Sequence, residues 1–142
     1  MPKRVVIVDD EPEVAGLLKE LAESEGFEAY TAANGEEGLA AVERYGPDGV
    51  FTDFNMPVLD GLGMAKRLRE LGYRKPVFMM TSDAQRDPEG RIYFTGSLLD
   101  KLGQYGIGEA DIPTYVNGFF PKPLDLQEIR AALASIPATP EQ

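Results

Sequence analysis

The chain has no cysteine, no histidine and no tryptophan. Lack of cysteine excludes a disulfide scaffold and a thiol nucleophile, and lack of histidine removes imidazole bases and the usual zinc ligands. Basic residues are also scarce: 14 Lys and Arg stand against 24 Asp and Glu, a formal net charge of −10. No basic stripe offsets that charge, so nucleic-acid phosphates would repel the chain and direct DNA or RNA binding is not expected. Long apolar runs are missing as well. The run near the N-terminus, Val5 to Val8, ends at once in Asp9-Asp10-Glu11, too short for a signal peptide or a membrane span. No membrane partner is expected, and a cytoplasmic location follows by default.

What is present suits one globular domain: 142 residues, 43% hydrophobic and 27% charged. Short apolar runs alternate with helical patterns. Val5–Val8, Phe27–Thr31, Gly49–Thr52, Val77–Thr81 and Gly118–Phe120 read as strands. Pro12 suits the first turn of a helix carrying Val14, Leu17, Leu18 and Leu21, ended by Gly26. Asn34 caps a second helix stopped by Gly46-Pro47. Leu62, Ala65, Leu68 and Leu71 suit a third helix closed by Gly72, and Asp125-Leu126-Gln127-Glu128 has the form of a capping box opening the last. Strict strand–helix alternation predicts an α/β fold, a doubly wound parallel sheet covered on both faces. The domain is expected over residues 1–136, with 137–142 a flexible tail.

In such sheets chemistry gathers outside the C-terminal strand ends. There the predicted strands carry Asp9 and Asp10, then Asp53, then Thr81 and Ser82, and near the fifth strand Lys122. Three carboxylates at one rim are costly without a proton or a cation between them. With oxygen ligands only, the cation would be hard; Mg²⁺ is favoured, with Mn²⁺ as the alternative. A carboxylate beside such a cation and a lysine can attack phosphorus, and both charges neutralise the acyl phosphate. Taken singly, each residue has a plain structural reading: Asp9-Asp10 as a helix cap, Asp53 as a solvated strand end, Thr81 as a strand residue, Lys122 as a surface lysine, Phe119 as core.

Val6-Ile7-Val8-Asp9-Asp10-Glu11, Asp53-Phe54-Asn55-Met56-Pro57 followed by Asp60-Gly61, Met80-Thr81-Ser82 and Lys122-Pro123 occur in one order over nearly the whole chain. In these motifs the chain resembles response-regulator receiver domains of the single-domain, chemotaxis-regulator type. The resemblance implies a flavodoxin-like five-stranded sheet of order 2-1-3-4-5. It implies Asp53 as phosphoacceptor, and Asp10 on the metal directly with Asp9 helping through water. The Asn55 backbone carbonyl would be a further ligand. Thr81, with Ser82 beside it, and Lys122 would meet the phosphoryl group, and Phe119 would be the responding aromatic. Lys122-Pro123 is a candidate cis peptide. Asn55 and Asp83, two places after the acceptor and the threonine, would tune dephosphorylation; both are short and polar, so a labile phosphoryl group is expected.

The implied function is a two-component phosphorelay response regulator whose phosphodonor is a sensor histidine kinase or a histidine phosphotransfer protein. It is not expected to be an enzyme beyond self-phosphorylation and self-dephosphorylation. Two alternatives are a phosphorylation-independent receiver scaffold and an aspartyl-phosphate phosphatase of the haloacid-dehalogenase type. The latter places its nucleophile after strand one and its acidic pair late, the reverse of the order here. No output module follows the last helix, so output is expected through protein contacts on the face of helix four, strand five and helix five.

One stretch departs from the resemblance. Thr81 and Lys122 are 41 positions apart, and receivers usually need about half that. The region 83–117 is therefore atypical around helix four. Asp87-Pro88-Glu89-Gly90 has turn chemistry, and Arg91–Thr95 after it suits either an extended, hairpin-like excursion or, with Asp87 as cap, a helix. Leu98, Leu99 and Leu102 recur at helical spacing between Ser97 and Tyr105, and Glu109–Thr114 reads as a loop or one short turn.

Overall fold

The computed structural model describes residues 2–138. Five parallel strands form one sheet: β1 (Arg4–Val8), β2 (Glu28–Ala32), β3 (Gly49–Asp53), β4 (Val77–Thr81) and, late in the chain, β7 (Gly118–Pro121). Their order is β2-β1-β3-β4-β7, the flavodoxin-like order with the last strand at the edge. The other helices and strands are α1 (Pro12–Ser24), α2 (Gly35–Tyr45), α3 (Gly61–Glu70), the antiparallel pair β5 (Ala84–Arg86) and β6 (Ile92–Phe94), α4 (Gly96–Gln104), α5 (Ile112–Tyr115) and α6 (Leu126–Ser135).

Strand side chains alternate between faces, and both faces are buried. Val6, Val8, Val50, Val77 and Met79 meet Val42, Leu62, Met64, Leu68, Leu98 and Leu102 on one side. Val5, Ile7, Phe51, Phe78 and Met80 meet Leu18, Leu21, Ile129, Leu133 and Ile136 on the other. This is why the inner strands read as unbroken apolar runs. The second strand lies one residue later than its pattern suggested. Leu71 is a correction: α3 ends at Glu70, and Leu71 caps it 61% exposed, outside the core.

Caps follow local chemistry. Asn34 Oδ1 accepts the Glu37 amide at 2.9 Å, and Gly46 ends α2 at φ 54°. Asp60 Oδ1 accepts the Gly63 amide at 2.7 Å, and Asp125 Oδ1 accepts the Gln127 amide at 2.9 Å.

Region 83–117 resolves the open choice in favour of the hairpin. β5 and β6 pair as Ala84↔Phe94, Gln85↔Tyr93 and Arg86↔Ile92, and the Asp87 carbonyl accepts the Gly90 amide in the turn, with Gly90 at φ 83°. Of the loop or short turn expected after Gly108, the structure has the turn: a 3₁₀ turn (Glu109–Asp111) running into α5. Residues 139–142 of the expected tail lie outside the described residues.

A carboxylate site at the strand ends

The site forms where β1 and β3 lie side by side, at their C-terminal ends. Asp9 follows β1, Asp53 ends β3 and Thr81 ends β4; all three are buried, whereas Asp10 is exposed. One oxygen from each of Asp9, Asp10 and Asp53 lies within 4.8 Å of the others. Lys122, one residue past β7, places its Nζ 2.8 Å from Asp53 Oδ1. Its amide donates to the Thr81 carbonyl at 3.1 Å, which ties the β7 end to the β4 end. The Lys122–Pro123 peptide is cis.

The β3–α3 corner is held tightly. The Gly61 amide donates to the Phe54 carbonyl at 2.8 Å. A side chain at Gly61 would run into the carbonyl oxygen of Asp53 itself, so glycine is required for α3 to start there.

Electrostatics follow from burial. Asp9 is pushed up from 3.8 to about 6, chiefly by loss of solvent; the Glu11 amide opposes this, and the charge of Asp53 adds to it. Burial also raises Asp53, against the hydrogen bond and charge of Lys122. At Lys122 burial works against the ammonium, but the hydrogen bond to Asp53 and the charges of Asp53, Asp9 and Glu11 outweigh it and raise the group.

Asp9 also shows that a structural and a chemical role can share one side chain. Its Oδ1 accepts the Glu11 amide at 2.9 Å at the entrance to α1. Its Oδ2 is buried with no hydrogen-bond partner. An unpartnered buried carboxylate oxygen, on a residue clustered with two other carboxylates, is what a hard cation would satisfy, and the all-oxygen donor set suits Mg²⁺ or Mn²⁺. The residues fit such an ion.

Other candidates fall as follows. Asn55 is exposed two places after Asp53, and Ser82 is exposed with its carbonyl accepting Gln85 Nε2 at 2.7 Å. Thr81 Oγ1 accepts the Asp83 amide at 3.0 Å. Phe119 is half-buried on β7, edge-to-face with Phe94 at 4.7 Å between centroids. The Asp83 carboxylate is turned to the start of α4, accepting from Leu98 N at 3.1 Å and Ser97 Oγ at 2.9 Å.

Three participants carried no role in the sequence reading. Asp60 not only caps α3 but accepts the Tyr105 hydroxyl on Oδ2 at 3.0 Å, with Lys101 Nζ 3.7 Å away. A polar residue directly before a glycine-led helix was the available signal for Asp60. Nothing local pointed to Tyr105 or to Phe94, whose partners are distant in sequence.

The family description "Response regulator receiver domain" matches residues 5–96, and the chain belongs to that family. The matched region stops at the first residue of α4, where the atypical stretch continues. Sporulation initiation phosphotransferase F of Bacillus subtilis is 29% identical over 133 residues, covering 94% of this chain and 92% of the relative. The alkaline phosphatase synthesis transcriptional regulatory protein PhoP of Bacillus subtilis is 31% identical over 136 residues, 96% of this chain and 49% of PhoP. The Mycobacterium tuberculosis transcriptional regulatory protein TrcR is 31% identical over 135 residues, 95% of this chain and 45% of TrcR. The chain thus spans about half the length of these two regulators. Chemotaxis response regulator CheY4 of Vibrio cholerae superposes with a TM-score of 0.71 at 24% identity, over 96% of this chain and 100% of that one. The CheY-like receiver of Methanospirillum hungatei gives 0.73 at 21%, over 94% and 92%. These two likenesses show the fold.

The chain is therefore a receiver domain of the two-component class. The haloacid-dehalogenase alternative gives way to this membership. No helix among the described residues is long and apolar enough to cross a membrane.

Proposed function

We propose that Asp53 accepts a phosphoryl group, and that this chain works as a phosphorylation-controlled switch. The observation that carries the reading is the setting of Asp53: one oxygen paired with Lys122, in a cluster with Asp9 and Asp10 whose buried Asp9 Oδ2 lacks a partner. Asp9, Asp10, Asp53 and the Asn55 carbonyl would hold a divalent cation, Mg²⁺ in the first instance. When bound, that ion neutralises phosphate oxygens and lowers the cost of bringing a dianion to this acidic rim.

The chain's own groups do the rest. A carboxylate oxygen of Asp53 attacks phosphorus, and the donor's leaving group departs on the opposite side. Lys122 exchanges its carboxylate partner for a phosphoryl oxygen, keeping its charge matched throughout. Thr81, buried beside Asp53 at the neighbouring strand end, can turn its hydroxyl to donate to another phosphoryl oxygen. These 142 residues hold no histidine, so the phosphohistidine of a relay lies outside them. A sensor histidine kinase or a histidine phosphotransfer protein is the donor this reading requires, and the cytoplasm is the compartment it implies. Beyond self-phosphorylation from a small phosphodonor and self-dephosphorylation, no turnover is assigned. Asn55, exposed beside the acceptor, leaves room for water, so the phosphoryl group is labile rather than long-lived. Output passes to a target protein through the face built from α4, β7 and α6.

Intact-mass measurement after incubation with acetyl phosphate and Mg²⁺ tests the reading. The native chain should gain the mass of one phosphoryl group, and Asp53→Asn should gain none. No gain on the native chain would favour a phosphorylation-independent scaffold instead.

A further inference from the structure

The inserted hairpin is tied to both residues that flank the phosphoryl site on the β4–β7 side. Just before its first strand, the Asp83 amide donates to Thr81 Oγ1 at 3.0 Å. At its second, Phe94 packs edge-to-face on Phe119, with ring centroids 4.7 Å apart and planes at 62°. Ala84, fully buried, and Phe94 are directly paired across the hairpin, so the two ties sit at one end of one rigid unit.

The same end controls α4. Thr95 occupies the N-cap position but makes no side-chain cap. Asp83 does that work from twelve residues upstream: its carbonyl accepts the Thr95 amide at 2.8 Å, and its carboxylate accepts Ser97 Oγ at 2.9 Å and the Leu98 amide at 3.1 Å. A carboxylate there also matches the positive end of the helix dipole. The close approach depends on Gly96 at φ 56°, where a Cβ would stand 2.9 Å from Asp83 Oδ1. At the far end the half-exposed Arg86–Glu128 pair at 3.1 Å adds a weak restraint.

We propose that Asp83 is a positioning residue that joins Thr81 to α4, and that the β5–β6 hairpin and α4 move as one lever when Asp53 is phosphorylated. This deepens the phosphorylation reading above and rests on it. The mechanism follows from the bonds. A shift of the Thr81 hydroxyl toward a phosphoryl oxygen stretches or breaks its bond from the Asp83 amide. Asp83 cannot move without its bonds to Thr95, Ser97 and Leu98, so the start of α4 moves too. Phe94 carries any movement of Phe119 into the same unit. Coupling is reciprocal: whatever holds α4 in place also biases Thr81.

Hydrogen exchange read by mass spectrometry, with and without acetyl phosphate and Mg²⁺, tests the lever, with intact mass recorded on the same samples. In the native protein, amides of residues 84–104 should change exchange rate together when the phosphoryl group is gained. Compared at equal phosphoryl occupancy by intact mass, Asp83→Ala should lose the phosphorylation-dependent change over residues 95–104, and Asp83→Asn, which keeps a cap acceptor, should restore it. Asp83→Ala can also fray α4, so Phe94→Leu is the deciding variant. It leaves the cap intact, and the phosphorylation-dependent change over residues 92–104 should fall several-fold while exchange before phosphorylation stays as in the native chain. A native protein that gains the mass with no change in residues 84–104, or a Phe94→Leu variant that responds as fully as the native one, overturns the lever. A native protein that gains no mass removes the Asp53 reading, and the lever with it.

Discussion

Lys122 Nζ and Asp53 Oδ1 are 2.8 Å apart, a charge pair brought together from the ends of two strands that are not neighbours in the sheet. Asp53 is 7% and Lys122 28% exposed at the side chain, so the carboxylate depends on this partner more than the lysine does. Replacing Lys122 by Met removes the main opposition to burial at Asp53, leaving only the Phe54 amide against it, and raises Asp53 further. It also removes a charge-assisted hydrogen bond to the incoming phosphoryl group. The loss should slow phosphorylation from acetyl phosphate by about tenfold or more. A time course of intact mass checks this, and an unchanged rate would show that Lys122 has no part in it.

A pH dependence follows from Asp9. Burial, the largest cause, raises it from 3.8 to about 6. Between those values the folded protein binds a proton that the unfolded chain does not, so stability of the cation-free protein falls as pH rises through about 6. Asp53, raised by burial, adds in the same direction. The effect at Asp9 is worth at most about 3 kcal/mol, since each tenfold change in proton affinity is worth about 1.4 kcal/mol. Thermal unfolding in EDTA should therefore show a higher Tm at about pH 5 than at about pH 7. Millimolar Mg²⁺ should raise the Tm chiefly at the higher pH, where the carboxylates are free to bind it. A cation-free Tm that climbs from pH 5 to pH 7 contradicts this.

Gly61→Ala places a methyl group against the backbone carbonyl of Asp53, which cannot rotate away as a side-chain tip could. Either the start of α3 or the end of β3 must shift. A loss of about 1–3 kcal/mol in urea unfolding is expected, the usual cost of overpacking. Phosphorylation should slow as well, because the displaced atom belongs to the acceptor residue.

Tyr105→Phe removes one hydrogen bond to the Asp60 carboxylate, which also caps α3. Burial, then the charge and hydrogen bond of Asp60, push the Tyr105 hydroxyl up to about 12, so it is a neutral donor throughout the physiological range. The expected cost is about 1–2 kcal/mol, checked by urea unfolding with an unchanged slope. Because Asp60 keeps the Gly63 amide, the acceptor corner should survive, and phosphorylation should remain near the native rate.

The sheet and most of the site were legible because each rests on a local pattern. Val5–Val8 is β-branched and bounded by charge, Asn34 stands before a helical repeat, and Asp9, Asp10, Asp53 and Thr81 each fall where a strand runs out. Leu71 misled because it continues the helical spacing of Leu62, Ala65 and Leu68, whereas the helix stops one residue earlier and turns it to solvent. The choice between hairpin and helix after Asp87 was not legible. Turn chemistry allowed both, and what decides is the pairing of Ala84 with Phe94 and the seat of Phe94 on Phe119, 25 residues further on.

By itself the sequence determined the alternation of strands and helices, the excess of acid over base, and the order of the residues at the strand ends. Those properties need only neighbouring residues and their periodicity. Tertiary structure alone decided that Lys122 reaches Asp53, that Asp9 Oδ2 is buried without a partner, and that the Asp83 carboxylate meets the start of α4. Each of these is a distance between side chains far apart along the chain, and a short hydrogen bond or a lost hydration shell exists only once the packed sheet has set that distance.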